Sequence, residues 1–199
     1  MYKCKKYKFS DIATFSQGIQ VDINDQFDEP FEGCEQFLRI VDFVTETEPP
    51  RYIKKPDDKY LKKDGELIMI RYGASAAGKV YTNKSGVIAN NMFKINLITD
   101  EVSIDYLRLY LSQKKIYKIL NGSTGKSTMP AVNFKFLSKL EIPIPSMEIQ
   151  NIIVNKAKKF IMLENDLENE LELRKEQKEY YFSKIFDFED VIWWILLKN

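Results

Sequence analysis

Short runs of apolar residues alternate with polar residues through the first two thirds of the chain. Four of these runs are rich in β-branched or aromatic side chains and are separated by Gly, Asn, Asp and Pro, which is typical of strands in a mixed or antiparallel sheet. They cover residues 37–41, 67–72, 79–82 and 92–98. The pattern predicts a sheet-containing domain over residues 1–145.

The apolar spacing changes to three or four residues between Ser103 and Gly122. This spacing predicts an amphipathic helix with Ser103 as N-cap and Gly122 just beyond its end. Residues 134–138 predict a short helical turn. Pro143 and Pro145 then favour an extended edge strand or linker, because proline removes a backbone donor and fixes φ.

The last quarter of the chain has a different pattern. From Ser146 to about Phe186 there is no Gly or Pro, and Glu, Lys, Leu, Gln and Asn dominate. One long helix is therefore predicted over residues 146–187. The predicted class is α/β, more narrowly α+β, with a mixed, twisted sheet domain followed by this helix.

Apolar residues recur every three or four positions along the predicted long helix, with interruptions at Arg174 and Lys178. A small domain cannot bury so long a stripe against its own sheet, so the helix needs a partner helix. The alternative is a free, solvated rod. The stripe residues are Ile153, Phe160, Leu163, Leu167, Leu171, Tyr181 and Ile185.

Composition narrows the function classes. The formal net charge is +1 and 44% of the 199 residues are hydrophobic, as in a globular protein. No apolar stretch has membrane-spanning length and the first residues lack a signal-peptide core, so a cytoplasmic protein without a membrane partner is expected. The apolar run at 191–197, within a tail at 188–199, is too short for a span.

The residues that catalysis or metal binding commonly needs are scarce. The chain has no histidine and only two cysteines, Cys4 and Cys34. A Ser-His-Asp or Cys-His site and a histidine-ligated metal are thereby excluded, and widely separated cysteines do not suggest zinc. We predict no catalytic residue, no metal and no cofactor.

Residues 71–80, RYGASAAGKV, match most of the P-loop pattern GxxxxGK[ST] through Gly73, Gly78 and Lys79. The final hydroxyl is replaced by Val80, and the sequence after it predicts a strand rather than the helix of a P-loop. Two tight turns at the glycines are the preferred interpretation. An NTP-binding protein that uses residues 73–79 is the alternative.

Residues 106–140 contain seven Lys or Arg and no acid. Such a segment suits a polyanion, because basic side chains that neutralise phosphates supply most of the sequence-independent affinity for nucleic acids. A solvated helix face explains the same charges equally well.

Several segments in order resemble the specificity (S) subunit of type I restriction-modification enzymes. FKFLSKLEIPIPSMEIQNIIV, followed by LRKEQKEYYFSKIF, is similar to the family's proline edge, its helix start with Glu148 and Gln150, and its helix end with Arg174, Lys175 and a tyrosine pair. FSDIATFSQGIQ, FLRIVDF, DGELIMIRYGASAAGKVY and NGSTGKSTMPAVNFKFL look like the opening, a strand, the glycine segment and the closing loop of its recognition domain.

The resemblance implies a target recognition domain that reads double-stranded DNA. It also implies a helix that docks against a second such helix and against methyltransferase subunits, and through them restriction subunits. One domain and one helix imply a half-size form that works as an antiparallel homodimer on two inverted half-sites. ATP and S-adenosylmethionine would be bound by the partner subunits.

On this reading, phosphate contacts give affinity and a few loop side chains give specificity. A protein-interaction scaffold that reads no DNA sequence is the alternative. The candidate DNA-binding residues are Arg51, Lys54, Lys55, Arg71, Tyr72, Lys79, Lys114, Lys115, Ser123, Thr124 and Lys126.

Overall fold

The computed structural model of the protein describes residues 4–73, 76–122 and 131–186. These residues belong to two compact units, one that ends at Val154 and one that begins at Asn155. The first unit contains strands and short helices packed around two apolar clusters. The second consists, where described, of the greater part of a long helix.

Strands and helices follow one another throughout the first unit. The strands are β1 (Lys5–Lys8), β2 (Ala13–Gln17), β3 (Cys34–Leu38), β4 (Arg51–Lys54), β5 (Leu61–Lys62), β6 (Leu67–Ile70), β7 (Val80–Tyr81), β8 (Gly86–Ile88), β9 (Met92–Leu97) and β10 (Glu141–Ile144). The helices are α1 (Phe9–Ile12), α2 (Val41–Val44), α3 (Ile104–Leu111), α4 (Lys114–Gly122), α5 (Phe134–Ser138) and α6 (Met147–Ile185).

The strands form two four-stranded sheets and a two-stranded ribbon. The first sheet has the order β2-β9-β6-β7 and is antiparallel. The second has the order β4-β3-β8-β5 and contains one parallel pair, β3 with β8. The ribbon pairs β1 with β10. The predicted mixed α/β architecture is confirmed.

Strand β6 has the uninterrupted apolar sequence LIMI because it packs against an apolar cluster on each face. Leu67 and Met69 belong to one apolar cluster, whereas Ile68 and Ile70 belong to the other. Successive side chains of a strand point to opposite faces, so a strand with a packed cluster on each side has no polar face. This central strand fixes the position of the glycine turn that follows it.

Two predicted elements are corrected by the structure. The strand predicted over residues 37–41 ends at Leu38, and the chain turns into α2. The carboxylate of Asp42 accepts a hydrogen bond from the Arg39 N–H at 2.6 Å and forms an ion pair with its guanidinium at 3.0 Å. A local side-chain contact to the backbone therefore overrides the β-branched pattern of the segment.

The helix predicted between Ser103 and Gly122 is instead two helices, α3 and α4. Ser103 is the N-cap of α3, as predicted, and accepts from the Tyr106 N–H. The break comes at Ser112, whose hydroxyl donates to the carbonyl of Arg108 at 2.8 Å. A serine that bonds back four residues competes with the helical ladder, which favours an end there.

Strands β6, β7 and β9 and helices α5 and α6 lie where the sequence predicted strands and helices, whereas Gly122, predicted beyond the end of its helix, is the last residue of α4. Helix α5 has Asn133 as its N-cap, and β10 pairs with β1 alone among the described strands. Helix α6 contains 39 residues. Its first turns belong to the first unit, where Val154 joins an apolar cluster and Gln150 is completely buried.

Gln150 holds the start of α6 in the first unit by three hydrogen bonds. Its side-chain oxygen accepts from the Ser103 N–H at 2.9 Å. Its amide nitrogen donates to the carbonyls of Glu101 at 2.7 Å and Pro145 at 3.0 Å. Because every polar atom of this buried amide has a partner, its burial is tolerated.

Candidate nucleic-acid interface

The segments that flank the two glycine-rich loops lie side by side. Tyr72, after β6, forms an antiparallel bridge with Ala131, which precedes α5. The Val132 N–H donates to the carbonyl of Arg71 at 2.8 Å, and the Arg71 N–H donates to the carbonyl of Asn91 at 2.8 Å. The described flanks of two predicted loops that are distant in sequence thus meet at Arg71 and Tyr72.

The first glycine loop consists of tight turns, as predicted. Gly73 and Gly78 have φ values of 135° and 87°, which favour glycine. Strand β7, not a helix, follows. Three backbone N–H groups of this segment donate to backbone carbonyls within residues 70–76, at 2.8 to 3.1 Å: those of Ala77, Gly78 and Lys79.

These hydrogen bonds bear on the NTP-binding alternative. A P-loop binds phosphate with free backbone N–H groups and the N-terminus of a helix. Here the described N–H groups at 76–79 face carbonyls, and a strand follows at Val80. The geometry therefore does not support a phosphate cradle at this position.

Arg71 is held between two aromatic rings. Its guanidinium carbon lies 4.7 Å from the ring centroid of Tyr72 and 4.6 Å from that of Phe134. Within the described residues, its buried Nε and the buried side-chain oxygen of Asn91 have no hydrogen-bond partner. Stacking on rings restrains a guanidinium while leaving its other N–H groups as donors. Such a fixed donor edge suits recognition of a base edge or a phosphate.

Lys79 and Lys114 line the same groove, of about 330 Å³, between the first glycine turn and the start of α4. Tyr81 and Tyr117 also line it, and none of the described residues that line it is acidic. A tyrosine hydroxyl is protonated at neutral pH and can donate a hydrogen bond, and burial raises the pKa of Tyr81 further. The groove therefore combines positive charge with hydroxyl donors, a chemistry that fits an anion.

Lys115 and Lys118 are exposed on α4, beside Lys114. Ser123, Thr124 and Lys126, which were predicted to contact DNA from the second glycine loop, lie outside the described residues. The apolar tail predicted at 188–199 also lies outside them.

Three further candidate DNA-binding residues, Arg51, Lys54 and Lys55, lie at or just after β4 of the second sheet. Arg51 pairs with Asp28, and Lys55 pairs with Asp58 at 3.1 Å. Lys54, at the end of β4, is exposed. Two of these three charges are thus partly neutralised within the chain, whereas the two lysines of the groove form no ion pair with another described residue.

Sequence reasoning missed several residues that shape the interface. Phe134 and Asn91 approach Arg71 only through the fold, and Tyr81 and Tyr117 meet Lys79 in the groove for the same reason. Each is an ordinary apolar or polar position in its own segment. The acid-free basic segment, the glycine segment and the resemblance to recognition domains pointed to this region but not to these side chains.

Helix α6 exposes the predicted stripe. Beyond Val154, Phe160 is 71% exposed and Leu167 is 66% exposed. Between the apolar positions lie ion pairs at helical spacing, such as Arg174 with Glu170 at 3.6 Å. Such pairs support an exposed helix, but they leave the apolar side chains in water.

Across residues 4–73, 76–122 and 131–186, no three His, Cys, Asp or Glu side chains are placed to hold a metal ion. The helices in those ranges are too short or too polar to cross a bilayer.

Comparison with known proteins identifies similar chains. The family model for the type I restriction modification DNA specificity domain matches residues 4–173. The MjaVIII specificity subunit of a type I restriction enzyme from Methanocaldococcus jannaschii is 23% identical over 162 residues, which are 80% of this chain and 36% of that protein.

Solved structures with the same fold include the HsdS subunit from Thermoanaerobacter tengcongensis, with a TM-score of 0.60 and 16% identity over 80% of this chain and 38% of that one. A chain from a structure on complex assembly and conformational transition of the type I R-M system has a TM-score of 0.63 and 18% identity, over 82% of this chain and 40% of that one. The chain thus spans less than half the length of these relatives.

Proposed function

The chain belongs to the type I restriction-modification DNA specificity family, and from this premise we propose that it selects the DNA sequence on which such a system acts. In this proposal it binds double-stranded DNA, performs no chemistry itself and directs methyltransferase subunits, and through them restriction subunits, to a bipartite site. It does so as a homodimer.

The observation that carries the DNA-reading role is the cluster built around the first glycine turn. Arg71 and Tyr72 precede the turn and contact the flank of the second loop, and Lys79 follows it and shares a groove with Lys114. The cluster combines a restrained guanidinium, aromatic rings and lysines, which are the groups that bind base edges and phosphates.

The proposed contacts divide into two kinds. Lys79, Lys114 and Lys115 bind phosphates and set affinity without reading sequence. Arg71, stacked on its two rings, reads a base edge in the major groove. The same role is proposed for the loop candidates Tyr72, Ser123, Thr124 and Lys126. The residues on β4, Arg51, Lys54 and Lys55, extend the phosphate contacts in this proposal.

The homodimer proposal rests on the exposed stripe of α6. Leucines at 163, 167 and 171 repeat at helical spacing and are more than half exposed. Transfer of such side chains from water to a helix–helix seam is favourable by about 25 cal/mol per Å² of apolar area. We propose that a second copy of α6 covers the stripe in antiparallel orientation. The two recognition units then read inverted half-sites at a spacing set by the helix.

The chemistry of modification is assigned to the partners. S-adenosylmethionine and ATP are bound by the methyltransferase and restriction subunits in this proposal. The absence of histidine from the chain and the internally bonded glycine turn support a subunit that recognises DNA without acting on it.

The test is to co-express the chain with the methyltransferase subunit of its own system and to map methylated bases across the host genome. A new methylated motif that is an interrupted palindrome is the expected result. An asymmetric motif would keep the specificity role but contradict the homodimer. An assembled complex with no new motif would contradict sequence reading and favour the scaffold alternative.

The role of Arg71 is tested in the same assay by Arg71→Lys, which keeps the charge but loses the planar donor edge. We expect methylation to become less selective at one position of each half-site while overall methylation persists. Lys118→Arg, an exposed change on α4, is the control. An unchanged motif in Arg71→Lys would assign base reading to other side chains.

A further inference from the structure

Residues 22–32, between β2 and β3, form a loop whose charge is opposite to that of the proposed DNA interface. We call it the acidic loop. It contains no Lys or Arg and is exposed along nearly its whole length. Its five acidic residues are Asp22, Asp25, Asp28, Glu29 and Glu32.

The acidic loop also exposes large apolar side chains. Ile23 is 66% exposed, Phe27 47% and Phe31 39%. The rings of Phe27 and Phe31 meet edge to face with their centroids 4.9 Å apart. They line an open cleft of about 570 Å³ together with Asp28, Glu29 and Pro30. Paired aromatic rings beside carboxylates are unusual on a surface that only water contacts.

The fold holds the acidic loop in one shape. Phe27 exchanges two backbone hydrogen bonds with Tyr52, both at 2.8 Å. The side chain of Asp22 accepts from the Asn24 N–H at 2.9 Å and begins a 3-10 turn at Ile23. The Cys34 N–H donates to the carbonyl of Phe31 at 3.1 Å. A loop fixed in this way loses little conformational entropy when a partner binds.

The charge of the acidic loop excludes DNA as its partner. Phosphates would be repelled by carboxylates that have no counter-charge. Among the described residues, Asp28 is the one acid of the loop that forms an ion pair, with Arg51. The other four carboxylates are left to attract a positively charged surface.

We propose that the acidic loop is a docking surface for a positively charged patch on the methyltransferase subunit. The partner patch supplies Lys or Arg around an apolar side chain that inserts between Phe27 and Phe31. Aromatic anchors surrounded by a charged rim are the usual composition of a binding hot spot. The inference rests on the proposed assembly with methyltransferase subunits and adds the part of the chain that makes the contact.

The experiment measures the dissociation constant of the purified full chain and the methyltransferase subunit by calorimetry at two salt concentrations. Phe27→Ser with Phe31→Ser removes the rings, and Glu29→Lys with Glu32→Lys reverses two charges. We expect each double variant to weaken binding at least about tenfold. The charge variant should also reduce the dependence of affinity on salt.

A matched control makes the same charge change outside the loop. Asp11→Lys with Asp100→Lys alters two exposed acids of the same unit and should change the affinity less than about twofold, because rim and distant charges contribute little. Melting temperatures verify that all variants fold, and DNA affinity should not fall in the loop variants.

The outcomes separate the two proposals. Wild-type binding that both loop variants retain would overturn the docking surface and leave the assembly intact. No binding by the wild type would overturn both. A loss of the homodimer in the loop variants, with methyltransferase affinity unchanged, would assign the loop to a second copy of the chain and overturn the stated partner.

Discussion

Apolar side chains are largely buried in the first unit, whereas most of them are exposed in the long helix beyond Val154. In the first unit the central strand β6 is buried on both faces, and a buried amide such as that of Gln150 has all its partners. In α6 beyond Val154, most apolar positions are exposed, and polar contacts are local ion pairs. The first unit is a completed core, whereas α6 leaves an apolar stripe exposed, as we propose for one half of an interface.

The largest effect is expected at the proposed contact between two copies of α6. Leu163→Asp with Leu167→Asp would place unpaired carboxylates in the proposed dimer seam, which costs several kcal/mol. We expect dimer affinity to fall at least about 100-fold and the melting of the first unit to remain unchanged. Analytical ultracentrifugation measures the first quantity and thermal unfolding the second.

The control for this double variant adds two carboxylates on another side of α6. Asn165→Asp with Asn169→Asp lies about 200 to 240° around the helix from Leu163 and should leave the dimer intact. A wild-type chain that is monomeric at micromolar concentration, or an equal loss in both pairs of variants, would contradict the proposed stripe.

The second largest effect is expected at the buried amide of Gln150, compared with an exposed glutamine of α6. Gln150→Glu removes both donor hydrogen bonds and directs a carboxylate at the carbonyls of Glu101 and Pro145, so we expect a loss of about 3 kcal/mol in the free energy of unfolding. Gln177→Glu makes the same change on the exposed helix and should cost less than about 0.5 kcal/mol. Urea unfolding measures both, and equal losses would mean that burial at Gln150 is not what matters.

A smaller effect concerns Tyr106, which is buried and donates to the carbonyl of Pro143 at 2.6 Å. Burial raises its pKa to about 12, whereas an unfolded tyrosine titrates near pH 10. The unfolded chain therefore releases its proton first, and stability falls as pH rises from about 10 to about 12. The difference between these two pKa values limits the loss to less than about 3 kcal/mol.

Tyr106→Phe tests this pH dependence. It should cost about 1 kcal/mol at neutral pH, through the lost hydrogen bond, and should flatten the alkaline decline. Tyr180→Phe, on the exposed part of α6, should change neither. An alkaline decline that persists undiminished in Tyr106→Phe would assign it to other groups.

The smallest effect is expected from the exposed lysines at the start of α4. Lys114→Ala with Lys115→Ala should weaken binding to all DNA sequences alike and reduce the salt dependence by about one unit for each lost phosphate contact. Lys156→Ala with Lys159→Ala, on the helix, should leave the salt dependence unchanged. Fluorescence anisotropy over a salt series measures both, and the opposite ranking would move the DNA to the helix.

The sequence predicted those parts of the fold in which one local pattern dominates. The strands at β6, β7 and β9 follow from apolar runs bounded by turn residues, and α6 follows from helix formers without Gly or Pro. Prediction failed where a short contact decided the outcome. Asp42 ended β3 early by bonding to Arg39, and Ser112 divided one predicted helix into α3 and α4.

The candidate interface was only partly predictable for the same reason. Arg71, Lys79 and Lys114 were chosen for their charge in glycine-rich or acid-free segments, which is a property of the sequence. That Phe134 stacks on Arg71, and that Lys79 and Lys114 share a groove with two tyrosines, depends on contacts between residues far apart in the chain. No periodicity encodes such contacts.

The sequence by itself determined the class of fold, the length of α6, the exposed stripe and the resemblance to specificity subunits, because periodicity, propensity and motif order are local properties. The tertiary structure decided which charges are neutralised within the chain and which are left for partners. Arg51 is paired with Asp28, whereas Lys79 faces a groove to which the described part of the chain contributes no acid. The free energy of a charge depends on what lies within a few ångströms of it, and only folding brings those neighbours together.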